Sequence, residues 1–171
     1  PRGELRDYLE LISKSEVKIA VKPQYVDKLP KLWDGEVRGL LQRVDDRGRL
    51  EEFAEKTSID HILERKLSGL SGGELQRVAI CATILKEADV YFFDEPSSYL
   101  DIHERMRVVN IIQSLVENGK RIIVIEHDLA ILDVLCDLVH IVYGQRAAYG
   151  IFTPPRTTRT AINAYLDGYL N

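Results

Sequence analysis

The stretch from Val90 to Ile125 constrains the chain most. Val90-Tyr91-Phe92-Phe93 is a short, unbroken β-prone run that closes on two adjacent carboxylates, Asp94 and Glu95, and then on Pro96. An apolar run of that length reads as a strand buried on both faces. Ile102, Met106, Val109, Ile112 and Val116 follow at helical spacing until Gly119 ends the helix. Arg121–Ile125 is a second buried-type strand, Leu129–Cys136 another helix, and Leu138–Tyr143 a third strand. Strands separated by whole helices do not pair as hairpins; the helix carries the chain back, so that neighbouring strands run parallel. The expected fold class is α/β, a largely parallel sheet with covering helices.

Upstream the pattern is mixed. Leu5, Tyr8, Leu9 and Ile12 predict a helix over Glu4–Ile12. Val17–Val21 alternates and reads as a strand with Val17, Ile19 and Val21 on one face, ended at Pro23; Gln24–Pro30 reads as loop. Residues 36–66 read as short helical pieces broken at Asp45-Asp46-Arg47-Gly48, with Ser58 as N-cap of the piece Ile59–Arg65. Gly72-Gly73 opens a helix with Leu75, Val78, Ala79, Ala82 and Leu85 on its apolar face. Residues 144–166 hold no acid while Arg146, Arg156 and Arg159 are present; either a solvated tail or an interaction surface fits. Pro154-Pro155 interrupts this segment before a last helix at Ala161–Leu166.

Composition excludes several classes. With 45% hydrophobic and 29% charged residues in 171, the chain can bury a core, and its net charge of −4 argues against a polybasic nucleic-acid binder. No apolar stretch is long enough to span a membrane. Cys81 and Cys136 are far apart and lack CxxC spacing, which excludes a disulfide scaffold and a cysteine cluster. The chain opens at Pro1 without an initiator Met, so it is expected to be a piece of something longer.

Four elements carry chemistry. Asp94 and Glu95 lie where open α/β sheets bind ligands, just beyond a strand's C-terminal end. The first can hold Mg²⁺, and the second can polarise an attacking water as general base. Leu70-Ser71-Gly72-Gly73-Glu74-Leu75-Gln76-Arg77 begins a helix. Its glycines allow close anion approach, its N-terminus offers unpaired N–H groups, and Ser71 adds a hydroxyl. A Ser-capped helix with a Gly-rich entry would show the same letters. Ile123-Val124-Ile125-Glu126-His127-Asp128 places an imidazole after a strand, and Lys22-Pro23-Gln24-Tyr25 ends another with an amide able to orient water and metal.

In this order, with Ser98-Tyr99-Leu100-Asp101 between them, these elements resemble the ATP-binding-cassette (ABC) ATPases. Lys22-Pro23-Gln24-Tyr25-Val26-Asp27, Pro96-Ser97-Ser98-Tyr99-Leu100-Asp101, Glu126-His127-Asp128-Leu129 and the run Ile162–Tyr169 are similar to the first nucleotide-binding domain of the ribosome-recycling, RNase L inhibitor family. The Arg2-Gly3-Glu4-Leu5 opening is similar as well. The resemblance implies an ABC-type fold: residues 1–35 end a helix-loop-helix and strand with the Gln loop. Residues 36–86 form the helical signature subdomain, 87–152 the α/β core, and 153–171 a helix leading to a hinge.

It further implies that Asp94 coordinates Mg²⁺, Glu95 is the catalytic base, Gln24 senses metal and γ-phosphate, and His127 contacts the γ-phosphate. Ser71, Gly72, Gly73 and Glu74 would face the ATP of a second cassette packed head-to-tail, and Asp101 would link the two composite sites. ATP and Mg²⁺ are the implied cofactors, with [4Fe–4S] clusters confined to an upstream domain. Ribosomal subunits and release factors are the implied partners of a cytoplasmic protein with no membrane contact.

One departure is large. The cassette's phosphate loop, Gly-x-x-x-x-Gly-Lys-Ser/Thr, does not occur; Gly119-Lys120-Arg121 lacks the earlier glycine and the hydroxyl. ATP hydrolysis is expected of the intact protein, and little activity of this piece alone. A transporter ATPase subunit, and a non-catalytic ribosome- or protein-binding module on the same scaffold, are the alternatives. Transporter cassettes more typically carry Thr-Ser-Ala-Leu-Asp where this chain has Ser-Ser-Tyr-Leu-Asp.

Overall fold

The computed structural model describes residues 17–145 and 149–168. The helix expected at Glu4–Ile12, the Arg2-Gly3-Glu4-Leu5 opening, Arg146 and Tyr169 lie outside the described residues. The chain divides into two compact units, Pro1–Ile125 and Glu126–Asn171.

In the first unit, strand β1 (Ile19–Lys22) is followed by a 3₁₀ turn (Val26–Lys28) and the short helices α1 (Leu29–Leu32), α2 (Val37–Val44) and α3 (Leu50–Lys56). Two more 3₁₀ turns, Asp60–Ile62 and Leu67–Gly69, lead into α4 (Gly72–Ile84), β2 (Val90–Asp94), α5 (Ile102–Glu117) and β3 (Arg121–Ile125). The three strands form one parallel sheet in the order β1-β2-β3, with Lys22 beside Phe93 and Asp94 beside Ile125. The parallel αβ expectation holds here, and central β2 is the most buried strand, with Val90, Tyr91 and Phe93 enclosed.

Successive side chains of a strand point to opposite faces. Ala20, Lys22, Tyr91 and Phe93 are fully buried beneath the helices, whereas Ile19, Val21, Ile123 and Ile125 share the other, half-open face. The expectation that Arg121–Ile125 is buried on both sides is thus corrected: Ile123 is 50% exposed and Ile125 42%. An apolar run does not distinguish one covered face from two.

The helices show the same limit. Helix α4 buries Gln76, Ile80, Cys81 and Ile84 besides Leu75, Val78 and Ala79, so it is enclosed nearly all round rather than along one stripe. In α5 the buried face is Val108, Val109, Ile111, Ile112 and Leu115, while Ile102 and Val116, assigned inward from spacing, are exposed. Those two stand in the first and last turns of the helix.

Ser58 is no N-cap: its φ of +52° is left-handed, and Ile59–Arg65 contains only the 3₁₀ turn Asp60–Ile62. Gln24–Pro30 is not plain loop either. Pro30 stands in the first turn of α1, where a missing N–H breaks no helical bond.

The second unit contains α6 (Leu129–Leu135), β4 (Leu138–Val139), β5 (Val142–Gln145), β6 (Tyr149–Phe152), β7 (Arg156–Thr157) and α7 (Thr158–Leu166). The single strand expected at Leu138–Tyr143 is two strands, and neither joins the parallel sheet. β4 pairs antiparallel with β7, and β5 antiparallel with β6. The acid-free segment therefore supplies β6, β7 and the whole of α7. Buried Thr153 ties them inward, donating its Ile141-facing backbone N–H while its hydroxyl accepts from Ile141 N at 2.9 Å.

Candidate active site

The C-terminal end of β2 concentrates the polar chemistry of the first unit. Glu95 leaves the strand in the left-handed region, at φ +46°, with its N–H donated to the carbonyl of Ile125 at 2.8 Å. Its carboxylate accepts from Gln24 Nε2 at 2.8 Å and from the Ser98 hydroxyl at 3.2 Å. Gln24 reaches it because β1 lies beside β2 in parallel, so both strands end at the same edge. Buried Lys22 donates to the carbonyl oxygens of Asp94 at 2.7 Å and Glu95 at 3.3 Å. Gln76, also buried, donates to the Glu95 carbonyl at 2.7 Å.

The glycine pair at the start of α4 has a second reason to exist. Tyr99, left-handed at φ +65°, lays its ring over Gly72, where a Cβ would meet Tyr99 Cδ1 at 3.2 Å. At Gly73 a Cβ would stand 3.0 Å from the Tyr99 carbonyl oxygen. The glycines thus admit the loop that follows Glu95.

Ser71 and Glu74 form a reciprocal capping box: the Ser71 hydroxyl accepts from Glu74 N–H at 3.3 Å, and Glu74 accepts from Ser71 N–H at 2.7 Å. That backbone donor, opposed by partial burial and aided by the Ser71 hydroxyl and Arg65, holds the Glu74 carboxyl below the usual carboxylate range. Asp101 forms a second capping box with Glu104 at the start of α5. Arg77 joins the two helices, facing Glu104 at 3.3 Å and donating to the Ser58 carbonyl at 2.7 Å.

Of the residues singled out from sequence, the structure brings Gln24, Asp94 and Glu95 together, with Gly72 and Gly73 against the following loop. Ser71, Glu74 and Asp101 are seen here as helix caps. His127 belongs to the second unit, exposed, with its N–H donated to Glu126 Oε1 at 2.8 Å; Asp128 caps α6. Sequence reasoning passed over Lys22, Gln76, Ser98 and Arg77 as individual actors. No local signal marked Lys22, because the alternation of β1 points to Ile19 and Val21 as its inward pair, and the structure buries Ala20 and Lys22 instead.

The donor set suits a hard cation. Asp94 offers a carboxylate, and Gln24 an amide oxygen while its nitrogen is engaged with Glu95. Mg²⁺ takes one or two protein oxygens and completes its shell with waters and phosphate. Among the described residues no three His, Cys, Asp or Glu side chains converge as a ready-made metal cage. Both cysteines are free thiols, and burial pushes Cys81 up to about 12.

A family model described as "ABC transporter" matches residues 4–98. The chain belongs to the ABC ATPase family. It is 49% identical to an uncharacterized ABC transporter ATP-binding protein of Methanocaldococcus jannaschii over 98% of its own length and 27% of that protein's. A crystal structure of an archaeal ribosome recycling factor in complex with the archaeal ribosomal stalk protein aP1 superposes with a TM-score of 0.91. It is 50% identical and is matched over 96% of this chain and 32% of that one. A solved RNase L inhibitor gives 0.90 at the same identity, covering 95% and 32%. Within the ABC family the chain is a member of the RNase L inhibitor group. It spans about a third or less of each of these three relatives.

Proposed function

We propose that this chain is the hydrolytic portion of a first nucleotide-binding domain in an ABC ATPase that splits ribosomes into subunits. The observation that carries the reading is the Gln24–Glu95 hydrogen bond of 2.8 Å at the strand end that also bears Asp94. It holds a carboxylate in one orientation at the place where α/β sheets bind ligands. Glu95 takes the proton of the attacking water, while Gln24 and Ser98 fix which oxygen faces it. Asp94 and the Gln24 amide oxygen would hold Mg²⁺, which when bound neutralises phosphate charge. His127 is the γ-phosphate donor that the family pattern assigns.

Ser71, Gly72, Gly73 and Glu74 face the ATP of a second nucleotide-binding domain of the same protein, packed head-to-tail, with Asp101 at the junction. Phosphate-cradling N–H groups and the phosphate-loop lysine come from outside these 171 residues, as do the ligands of any iron–sulfur cluster. Residues 36–86 serve as the helical signature subdomain. Ribosomal subunits and release factors are the partners, in the cytoplasm; no helix among the described residues is long and apolar enough to cross a membrane.

The test is Glu95→Gln in the full-length protein. A neutral amide cannot accept the proton, so single-turnover hydrolysis falls about 100- to 10,000-fold while ATP stays bound. Ribosome splitting then stalls after one closure. Unchanged single-turnover hydrolysis removes Glu95 from the role, and failure of the full-length protein to bind ATP supports a scaffold instead.

A further inference from the structure

A buried ammonium is costly and persists where hydrogen bonds satisfy it. Lys22 is 0% exposed, and its Nζ donates to two consecutive carbonyls, Asp94 O at 2.7 Å and Glu95 O at 3.3 Å. Gln76, also 0% exposed, approaches from α4 and donates to the same Glu95 carbonyl at 2.7 Å. Its own amide oxygen has no hydrogen-bond partner among the described residues, so the bond to Glu95 is what orients that amide. The peptide they hold is the left-handed one, φ +46° at Glu95, a conformation that a β-carbon disfavours. Two residues beyond Lys22, Gln24 takes the Glu95 carboxylate.

We infer that Lys22 and Gln76 are positioning residues for Glu95. Together they hold its backbone in the left-handed turn, so that its carboxylate meets Gln24 and Ser98 instead of swinging along the strand direction. The end of β1 then grips Glu95 twice: Lys22 by its carbonyl and Gln24 by its side chain. Because Gln76 lies on the helix opened by Ser71-Gly72-Gly73-Glu74, the geometry of the base also depends on where that helix sits. The inference rests on Glu95 being the general base, and its test separates the two.

The experiment is a double-mutant cycle in the full-length protein: Lys22→Met, Gln76→Met and Glu95→Gln, singly and in pairs, with steady-state and single-turnover ATP hydrolysis. Lys22→Met and Gln76→Met should each lower kcat about 10- to 100-fold, the scale of one lost strong hydrogen bond, with KM within about twofold. In the Glu95→Gln background neither should lower the residual rate further, because the group they position is gone. Lys22→Arg should recover part of the loss. Equal losses with and without Glu95, a change confined to KM, or an unchanged kcat would each overturn the inference. Should Lys22→Met fail to fold, the Gln76→Met arm decides alone. If Glu95→Gln itself leaves kcat unchanged, it is the assignment of the base that fails.

Discussion

Replacing Tyr91 by Phe tests how the central strand is anchored at the end opposite its carboxylates. The Tyr91 ring is fully buried and stacks near Phe93, with centroids 6.5 Å apart. Its hydroxyl donates to the Lys86 carbonyl at 2.6 Å and accepts from Arg47 Nη2 at 2.9 Å. Phe keeps the ring and removes both bonds. A carbonyl left without its donor costs about 1–3 kcal/mol. Arg47 loses less, since its Nε still faces Glu87 at 2.7 Å. The balance is a destabilisation of about 2–3 kcal/mol, and at about 2–4 °C per kcal/mol in a domain of this size the melting temperature drops by about 4–12 °C. In urea the midpoint should fall with an unchanged m value, because the surface exposed on unfolding is the same. Hydrolysis per folded molecule should not change. A Tm within a degree of the parent would mean that water replaces the hydroxyl, and the anchoring argument would be wrong.

Two other outcomes follow from particular contacts. A Cβ on Gly144 would overlap the Tyr149 carbonyl across the β5–β6 ribbon, whereas one on Gly150 would meet nothing. Gly144→Ala should therefore open that ribbon, at a local cost of about 1–3 kcal/mol, with faster amide exchange over Val142–Gln145, and Gly150→Ala should not. Equal exchange in the two variants would refute the contact. In acid, Glu52, held down to about 2 chiefly by Arg49 and then Lys56, contributes stability that is complete above its ordinary 4.5 and is lost as the pH falls through about 2. The pairs are at the surface, so the loss should be small and should shrink in high salt, and Glu52→Gln should flatten the melting-temperature profile below pH 4.5. A profile indifferent to Glu52 would contradict this.

Much of the site was legible because its signals are local. An apolar strand that stops at two carboxylates reads the same in letters as in space, and Ser71 three residues before Glu74 spells out a capping box. Gln24 was legible only through the family pattern, since an amide in a loop carries no periodicity. What escaped depended on neighbours. Ser58 looks like a helix cap until its carbonyl is seen bound by Arg77 from another helix. Leu138–Tyr143 looks like one strand until β4 and β5 find different partners.

Sequence alone determined the succession β1, α4, β2, α5, β3 and α6, the acids at the end of β2 and the glycine-led start of α4, because propensity, periodicity and capping act within a few residues. Tertiary structure decided which face of β1 turns inward, and with it the roles of Lys22 and Gln76. Ile19 and Val21 are the more apolar pair, yet Ala20 and Lys22 are the buried one. A lysine on that face can satisfy its charge on the carbonyls of Asp94 and Glu95 only because β1 lies parallel to β2. That pairing joins residues more than seventy positions apart, beyond the reach of any local pattern.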